Sequence, residues 1–276
     1  MQPGQVTIVI PTFNDAPEHL RESVASALGQ TYPHIEVVVV DDGSTRPDTI
    51  TAVDALEGVR VVRQVNAGLS AARNAGIRVG SGEYIYPLDA DDWIEPDVVE
   101  LLVGILCEDV VVAYPLVEMF GESTGRTDSL PETTLGDLVL YNRIVAASLF
   151  RREHWEDVGG YLEERGFAED WVMWATILGR TGGRAVRCGE AVMHYRQRMS
   201  SLNKTNSSSE GRVLARRKIA EALPERRADL FEAATTQCVE CWAEVDRIKF
   251  DAARWRRVEP LVRPVVSFVR LVRRNH

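Results

Sequence analysis

Cysteine is scarce, long apolar runs are missing, and positive charge is not in excess. The four cysteines, Cys107, Cys188, Cys238 and Cys241, are too few for a disulfide framework, which points to a reducing, cytoplasmic setting. Cys238 and Cys241 form a C-x-x-C, but no second pair completes a zinc site and no strand-to-helix context supports a redox motif. They fall on an apolar helical stripe with Leu230, Ala234, Trp242 and Val245, so buried packing is expected of them. The opening MQPGQVTIVI lacks the charged start and long apolar core of a secretory signal. No stretch nears the roughly 18 apolar residues that span a bilayer. A net charge of −9 argues against a general nucleic-acid binder.

What is present is an alternation. Residues 6–10 are a short β-rich run, 20–28 place Leu20, Val24, Ala27 and Leu28 on one helical face, and 35–40 are nearly all valine, as in a strand buried on both faces of a parallel sheet. Helix over 49–56, strand over 59–63, alanine-rich helix over 69–79 and strand over 83–88 continue the pattern. This order predicts an α/β fold with a doubly wound, Rossmann-like sheet. The second half is more mixed. Strands are expected at 110–117, 146–150 and 191–196, a polar loop at 121–131, and a helix over 168–178. A linker is expected at 202–210 and a long helix across about 225–250.

Ligands of such sheets bind outside the carboxyl ends of the strands. Three polar clusters stand there: Pro11-Thr12-Phe13-Asn14-Asp15, Asp41-Asp42-Gly43-Ser44 and Asp89-Ala90-Asp91-Asp92. Each alone is explained equally by the loop-forming habit of Asp, Asn, Gly and Ser; their convergence on one rim is the stronger signal. Carboxylates crowded beside a hydrophobic strand are costly unless a cation neutralises them. Oxygen ligands suit Mg²⁺ or Mn²⁺ bridging to substrate phosphates, so Asp89 and Asp91 suggest a metal-bound diphosphate. Asp92 is expected to cap the next helix, with Pro96 in its first turn. Asp42 has the chemistry to accept hydrogen bonds from a base or ribose, and Phe13 to stack on a base. Arg73 is a candidate phosphate partner, against the alternative of a solvated helix arginine.

The stretches VTIVIPTFND, QTYPHIEVVVVDDGST, NAGLSAARNAGIRVGSGEYIYPLDADDW, LFRREHWEDVGGYLE and AEDW come in an order that resembles family 2 glycosyltransferases of the GT-A fold, over roughly residues 5–201. The resemblance implies inverting transfer of a sugar from a nucleotide donor, usually UDP-linked, to a hydroxyl of a glycan, lipid-linked or cell-envelope acceptor, with Mn²⁺ or Mg²⁺. It implies that Pro11, Thr12, Phe13, Asp42, Asn66 and Arg73 line the nucleotide pocket. Asp89-Ala90-Asp91 matches the D-x-D motif, with Asp89 on the nucleotide side and Asp91 on the metal. Asp170, in Glu169-Asp170-Trp171, matches the catalytic base, and His194 and Arg196 stand where the family places diphosphate or metal contacts. Asp170 also fits an acid placed at a helix N-terminus by the dipole, and His194 a hydrogen-bonded strand histidine. Processive members carry Q-x-x-R-W and membrane helices. Here Gln197 is followed by Arg198-Met199-Ser200-Ser201, which implies single addition.

Two other functions compete. A nucleotidyltransferase would need a Gly-rich, Lys/Arg-containing loop after the first strand, where this chain has Pro11 to Asp15. A non-catalytic sugar-nucleotide or glycan binder would not need Asp89, Asp91 and Asp170 together. The expected organisation is a catalytic domain over 1–205, with a nucleotide-binding half to about 115 and an acceptor half over 116–205, followed by a helical extension over 206–276.

Residues 254–276 carry seven arginines and one acid, Glu259, interleaved with Trp255, Phe268 and Leu271. Basic and apolar residues mixed in this way suit an anionic membrane surface; the alternative is packing on the catalytic domain or a homo-oligomer contact. The membrane reading expects removal of 254–276 to abolish co-sedimentation with anionic vesicles. Unchanged sedimentation would assign the tail to protein contacts.

Overall fold

The computed structural model describes residues 1–127, 129–197 and 208–250, the last from residue 240 onward as backbone only. Arg198 to Ser201, most of the expected linker, and the basic tail lie outside the described residues. The chain divides into two compact units, Met1–Leu230 and Phe231–His276. Among the described residues, no helix is long and apolar enough to cross a membrane.

The first unit is built on a single mixed sheet with flanking helices. Its strands are β1 (Gln2–Thr12), β2 (Ile35–Asp41), β3 (Arg60–Arg63), β4 (Gly82–Pro87), β5 (Trp93–Ile94), β6 (Val110–Gly121), β7 (Gly125–Arg126), β8 (Glu132–Thr133), β9 (Leu149–Arg151) and β10 (Arg184–Gln197). The helices are α1 (Pro17–Leu28), α2 (Pro47–Asp54), α3 (Leu69–Val79), α4 (Val98–Ile105), α5 (Arg152–Val158), α6 (Glu169–Thr181), α7 (Ser209–Ala222) and α8 (Arg227–Phe250). The strand order is β3-β2-β1-β4-β9-β6-β10-β5, with β7 on β6 and β8 on β10. The first four pair in parallel. β9 runs antiparallel between β4 and β6, and β6 pairs in parallel with β10.

The chain enters in the middle at β1, moves outward through β2 and β3, then returns to β4 on the other side of β1. Reversal of strand order opens a crevice at the carboxyl ends. Val37 to Val40 are buried to 3% exposure or less, as a strand covered on both faces requires. α1 starts on Pro17, whose missing N–H costs nothing there, and stops at Gly29. α6 ends on Gly182 in the left-handed conformation.

α3 lies against β1 and β2, and the small residues of SAARNAG explain how. A Cβ on Gly76 would stand 2.3 Å from Val9 Cγ1 and 3.0 Å from Val40 Cγ2. The end of this helix is held by Arg152, whose buried guanidinium donates to the carbonyls of Gly82 and Ile77 at 2.6 Å and of Gly80 at 3.0 Å.

Two sequence expectations are corrected. Asp92 does not cap a helix: Trp93 and Ile94 instead pair antiparallel with β10, and α4 begins only after Asp97. Cys238, expected on a buried stripe, is exposed; Cys241, Trp242 and Val245 have no described side chains.

Gly76→Ala should lower the urea unfolding free energy by about 1–3 kcal/mol through overpacking. Gly104→Ala in α4, where a Cβ meets nothing within 4 Å, should raise it by up to about 1 kcal/mol through helix propensity. Equal effects at the two sites would refute the close-packing account of α3.

Candidate active site

The rim is assembled by short polar contacts between loops far apart in sequence. Asn14 leaves β1 with φ 56°, a left-handed conformation that Asn tolerates. Its Oδ1 accepts the Thr45 N–H at 2.8 Å and the Arg46 N–H at 2.9 Å, which ties the loop after β1 to the loop after β2. Asp15 turns back to accept from Thr12 Oγ1 and the Phe13 N–H. Pro11 and Thr12 are buried, while the Phe13 ring is exposed at the opening.

Asp42, buried at the end of β2, holds the turn before α3. Its Oδ1 accepts Gln64 Nε2 at 2.7 Å and the Ala67 N–H at 2.9 Å, and its Oδ2 accepts the Gly68 N–H at 2.8 Å. The Asp42 carboxylate thus shapes the loop that presents the exposed Asn66. Arg165 reaches the same loop and donates from Nη2 to Asn66 Oδ1 at 3.2 Å.

Arg73 is buried to 1% exposure, which excludes the solvated-arginine alternative. Its Nη2 pairs with Asp89 Oδ1 at 2.7 Å and its Nη1 with Glu169 Oε1 at 2.7 Å. Its Nε is buried without a partner, and the guanidinium lies 5.6 Å from the centre of the Tyr161 ring. Burial works against the Arg73 charge, but Asp89 and Glu169 more than offset it and hold its pKa well above the ordinary value. One cation therefore links the first acid of D-x-D to the acid beside the expected base. Next to it, the buried Asn74 accepts from Trp155 Nε1 and the Tyr161 N–H, and donates to the Tyr161 carbonyl. Asn74 thereby staples the turn that carries Tyr161 onto α3.

Glu169 and Asp170 occupy the first turn of α6, where the helix dipole favours acids. Asp170 is half-buried. Its Oδ1 accepts the Trp171 N–H at 2.8 Å and its Oδ2 accepts Asn142 Nδ2 at 2.9 Å. Burial, then the Glu169 charge, push its pKa up to about 7, while Arg73 and the two hydrogen bonds pull the other way.

β10 delivers Arg196 to the D-x-D loop. The Arg196 N–H donates to Asp92 Oδ1 at 2.8 Å, and its Nε donates to the Asp91 carbonyl at 3.0 Å. The guanidinium pairs with Glu22 and covers Phe120 at 4.4 Å. This is the role of Asp92: it fastens β10 to the loop. His194 stacks on Trp93 with ring centres 3.6 Å apart and bonds Glu95 through Nε2 at 3.0 Å. Ala90 is buried between the two D-x-D acids.

No group of three or more His, Cys, Asp or Glu able to hold a metal exists among the described residues. The oxygen donors of Asp89 and Asp91 fit a cation that completes its shell with substrate phosphates and water rather than an all-protein cage. Asn142, Asn74, Tyr161 and Arg165 are site residues that sequence reading misses. Asn74, a polar residue among small ones beside Arg73, is the one with a local signal.

Acids gathered at the carboxyl ends of a mixed α/β sheet, with a raised-pKa carboxyl joined to them through Arg73 and Glu169, are the layout of a group-transfer enzyme. The chain belongs to glycosyl transferase family 2, whose family model matches residues 7–158. It is 39% identical over 125 residues to glycosyltransferase GlyA of Streptococcus pneumoniae, covering 44% of this chain and 18% of that protein. It is 28% identical over 206 residues to Escherichia coli WfaP, named as a UDP-Glc:α-D-GlcNAc-diphosphoundecaprenol β-1,3-glucosyltransferase, covering 72% of this chain and 79% of that one. The chain spans less than half the length of GlyA and several other curated relatives. The fold is similar to S. aureus TarS 1-349, solved with UDP-GlcNAc, at TM-score 0.66 and 21% identity over 79% of this chain and 66% of that one.

Arg73→Met, which strands two acids, should destabilise the protein by about 3–5 kcal/mol in urea unfolding. Arg126→Met, at an exposed pair with Glu118, should cost no more than about 1 kcal/mol. A mild effect at Arg73 would refute the bridge.

Proposed function

We propose that this protein is an inverting, non-processive glycosyltransferase. It moves a sugar from a nucleotide-sugar, UDP-linked as in the name of WfaP, to a hydroxyl of a glycan or lipid-linked acceptor. The observation that carries this reading is the Arg73 bridge, which ties the D-x-D acid Asp89 to Glu169, the neighbour of Asp170.

The roles follow from the chemistry of each group. Phe13, Asn66 and the loop held by Asp42 receive the nucleotide. Asp89 and Asp91 would hold Mn²⁺ or Mg²⁺. When bound, such an ion supplies Lewis-acid stabilisation of the leaving diphosphate, so no general acid is required. Arg196, fixed to the Asp91 carbonyl and Asp92, adds positive charge beside that loop. The acceptor oxygen forms its bond to the anomeric carbon as the bond to the donor phosphate breaks, and the electron pair leaves with the diphosphate. Asp170 takes the acceptor proton. One displacement inverts the anomeric centre, so one base suffices. A carboxyl whose pKa is raised to about 7 is a stronger base than an ordinary aspartate.

The sign of the pH dependence follows. Asp170 must be ionised to accept a proton, so transfer should rise with pH through about 7, not through the ordinary aspartate range. The folded pKa lies above the unfolded one, so this group's contribution to stability falls as pH rises between them. Asn142→Ala removes a hydrogen bond that lowers the pKa and should move the limb to higher pH. Asp170→Asn should reduce transfer by about 10²–10⁴-fold while UDP binding persists. Full transfer by Asp170→Asn would refute the base assignment. Failure of any nucleotide-sugar to bind or turn over would refute the enzyme reading.

A further inference from the structure

The loop held by Asp42 is met from the segment before α6 by Arg165. Its Nη2 donates to Asn66 Oδ1 at 3.2 Å. A Cβ on Gly68 would stand 3.3 Å from Arg165 Nε, 3.3 Å from Nη2 and 3.6 Å from Cζ, so the guanidinium lies against the bare glycine. Gly68, at φ 98°, gives its own N–H to Asp42 Oδ2 at 2.8 Å. Asp42 directly follows β2, and the loop it holds therefore stands at the carboxyl end of that strand, where a sheet of this order receives its ligand.

Arg165 is held in place but is not neutralised. Of the acids before it in the chain, Glu163 accepts from Asn74 Nδ2 at 3.0 Å and Glu164 from Lys218 Nζ of α7 at 2.7 Å. Arg165 is exposed, and among the described residues it has no carboxylate partner. The neighbouring arginines of the rim differ: Arg46 is paired with Asp48, Arg73 with Asp89 and Glu169, and Arg196 with Glu22. A guanidinium that gives one N–H to a neutral amide keeps the rest of its fork and its whole charge for a ligand.

We propose that Arg165 is a donor-binding residue that contacts the phosphates of the nucleotide. The proposal rests on the glycosyltransferase reading and deepens it. The planar fork matches phosphate oxygens two at a time, and an anion placed against the Asn66–Gly68 turn meets that fork directly. The protein carries a net charge of −9, and Asp89 and Asp91 stand at the same rim. A diphosphate is repelled by both, so a locally uncompensated arginine helps to admit it. Arg165 belongs to the segment that leads into Glu169 and Asp170, so a bound donor engages the base-bearing part of the chain as well as the Asp42 loop.

The test uses the full chain and titrates UDP in the presence of Mn²⁺ by calorimetry. Arg165→Gln should weaken UDP binding by about ten-fold or more, as loss of a charge-assisted contact requires, and Arg165→Lys, which keeps the charge, should lose less. Arg60→Gln removes the same charge beside Val79, at the other end of α3 from Gly68, and should change UDP affinity far less. The gap between wild type and Arg165→Gln should narrow as NaCl rises from about 0.05 to about 0.5 M, because an exposed charge is screened; a purely structural effect would not narrow in this way. Arg165→Gln should keep the urea midpoint of the wild type, as an exposed substitution does. Unchanged UDP binding in Arg165→Gln, an equal loss in Arg60→Gln, a gap insensitive to salt, or a loss that comes with a lowered urea midpoint would overturn the proposal. Failure of the wild type to bind UDP would overturn the glycosyltransferase reading and this proposal with it, so the two failures are distinguishable.

Discussion

The site depends on a guanidinium removed from water. Arg73 reaches from α3 to Asp89 at the end of β4 and to Glu169 at the start of α6, at 2.7 Å each. A buried cation with one such partner would leave a second acid uncompensated, and a site with the acids but no cation would disperse them. With both partners, the D-x-D loop and the start of α6 are fixed to one point. The surrounding packing serves the same end. Gly76 lets α3 close on β1 and β2, Asn74 staples the Tyr161 turn, and Arg152 binds the carbonyls at the far end of the helix.

The two halves of the sheet meet at the same rim. Parallel strands β1 to β4 bring three loops to one rim. The antiparallel β9 then turns the sheet toward β6 and β10. From there Arg196 returns to the D-x-D loop. Asp92 receives its backbone N–H, so the third acid of the cluster joins two parts of the sheet. Asp170 is set by similar means: burial and Glu169 raise its pKa, and Arg73, the Trp171 N–H and Asn142 limit the rise.

Local pattern made the elements of the first half legible. The valine run of β2, the alanine-rich α3 and α1, with Leu20, Val24 and Ala27 buried, stand where period places them. The three rim clusters were legible because strand ends are sequence features. Their partners were not. Arg73 and Glu169 are 96 residues apart, and Asp92 and Arg196 are 104 apart; no local propensity encodes such pairs. Asp92 reads as a helix cap because Asp before an apolar run usually is one. Here pairing of Trp93 and Ile94 with β10 overrides that preference. Arg73 reads as a phosphate ligand or a surface residue, and only the fold reveals two carboxylates already on it. Asn142 lies in a stretch without periodicity, so its contact with Asp170 had no signal.

The central claim is that Asp89 and Glu169 act as one unit through Arg73. A double-mutant cycle of Asp89→Asn and Glu169→Gln, read as unfolding free energies in urea, tests it most directly. The account expects an interaction energy of at least about 0.5 kcal/mol between the two substitutions, as residues in one charged network show. Effects that add within about 0.3 kcal/mol would mean that the two acids are independent, and would contradict it.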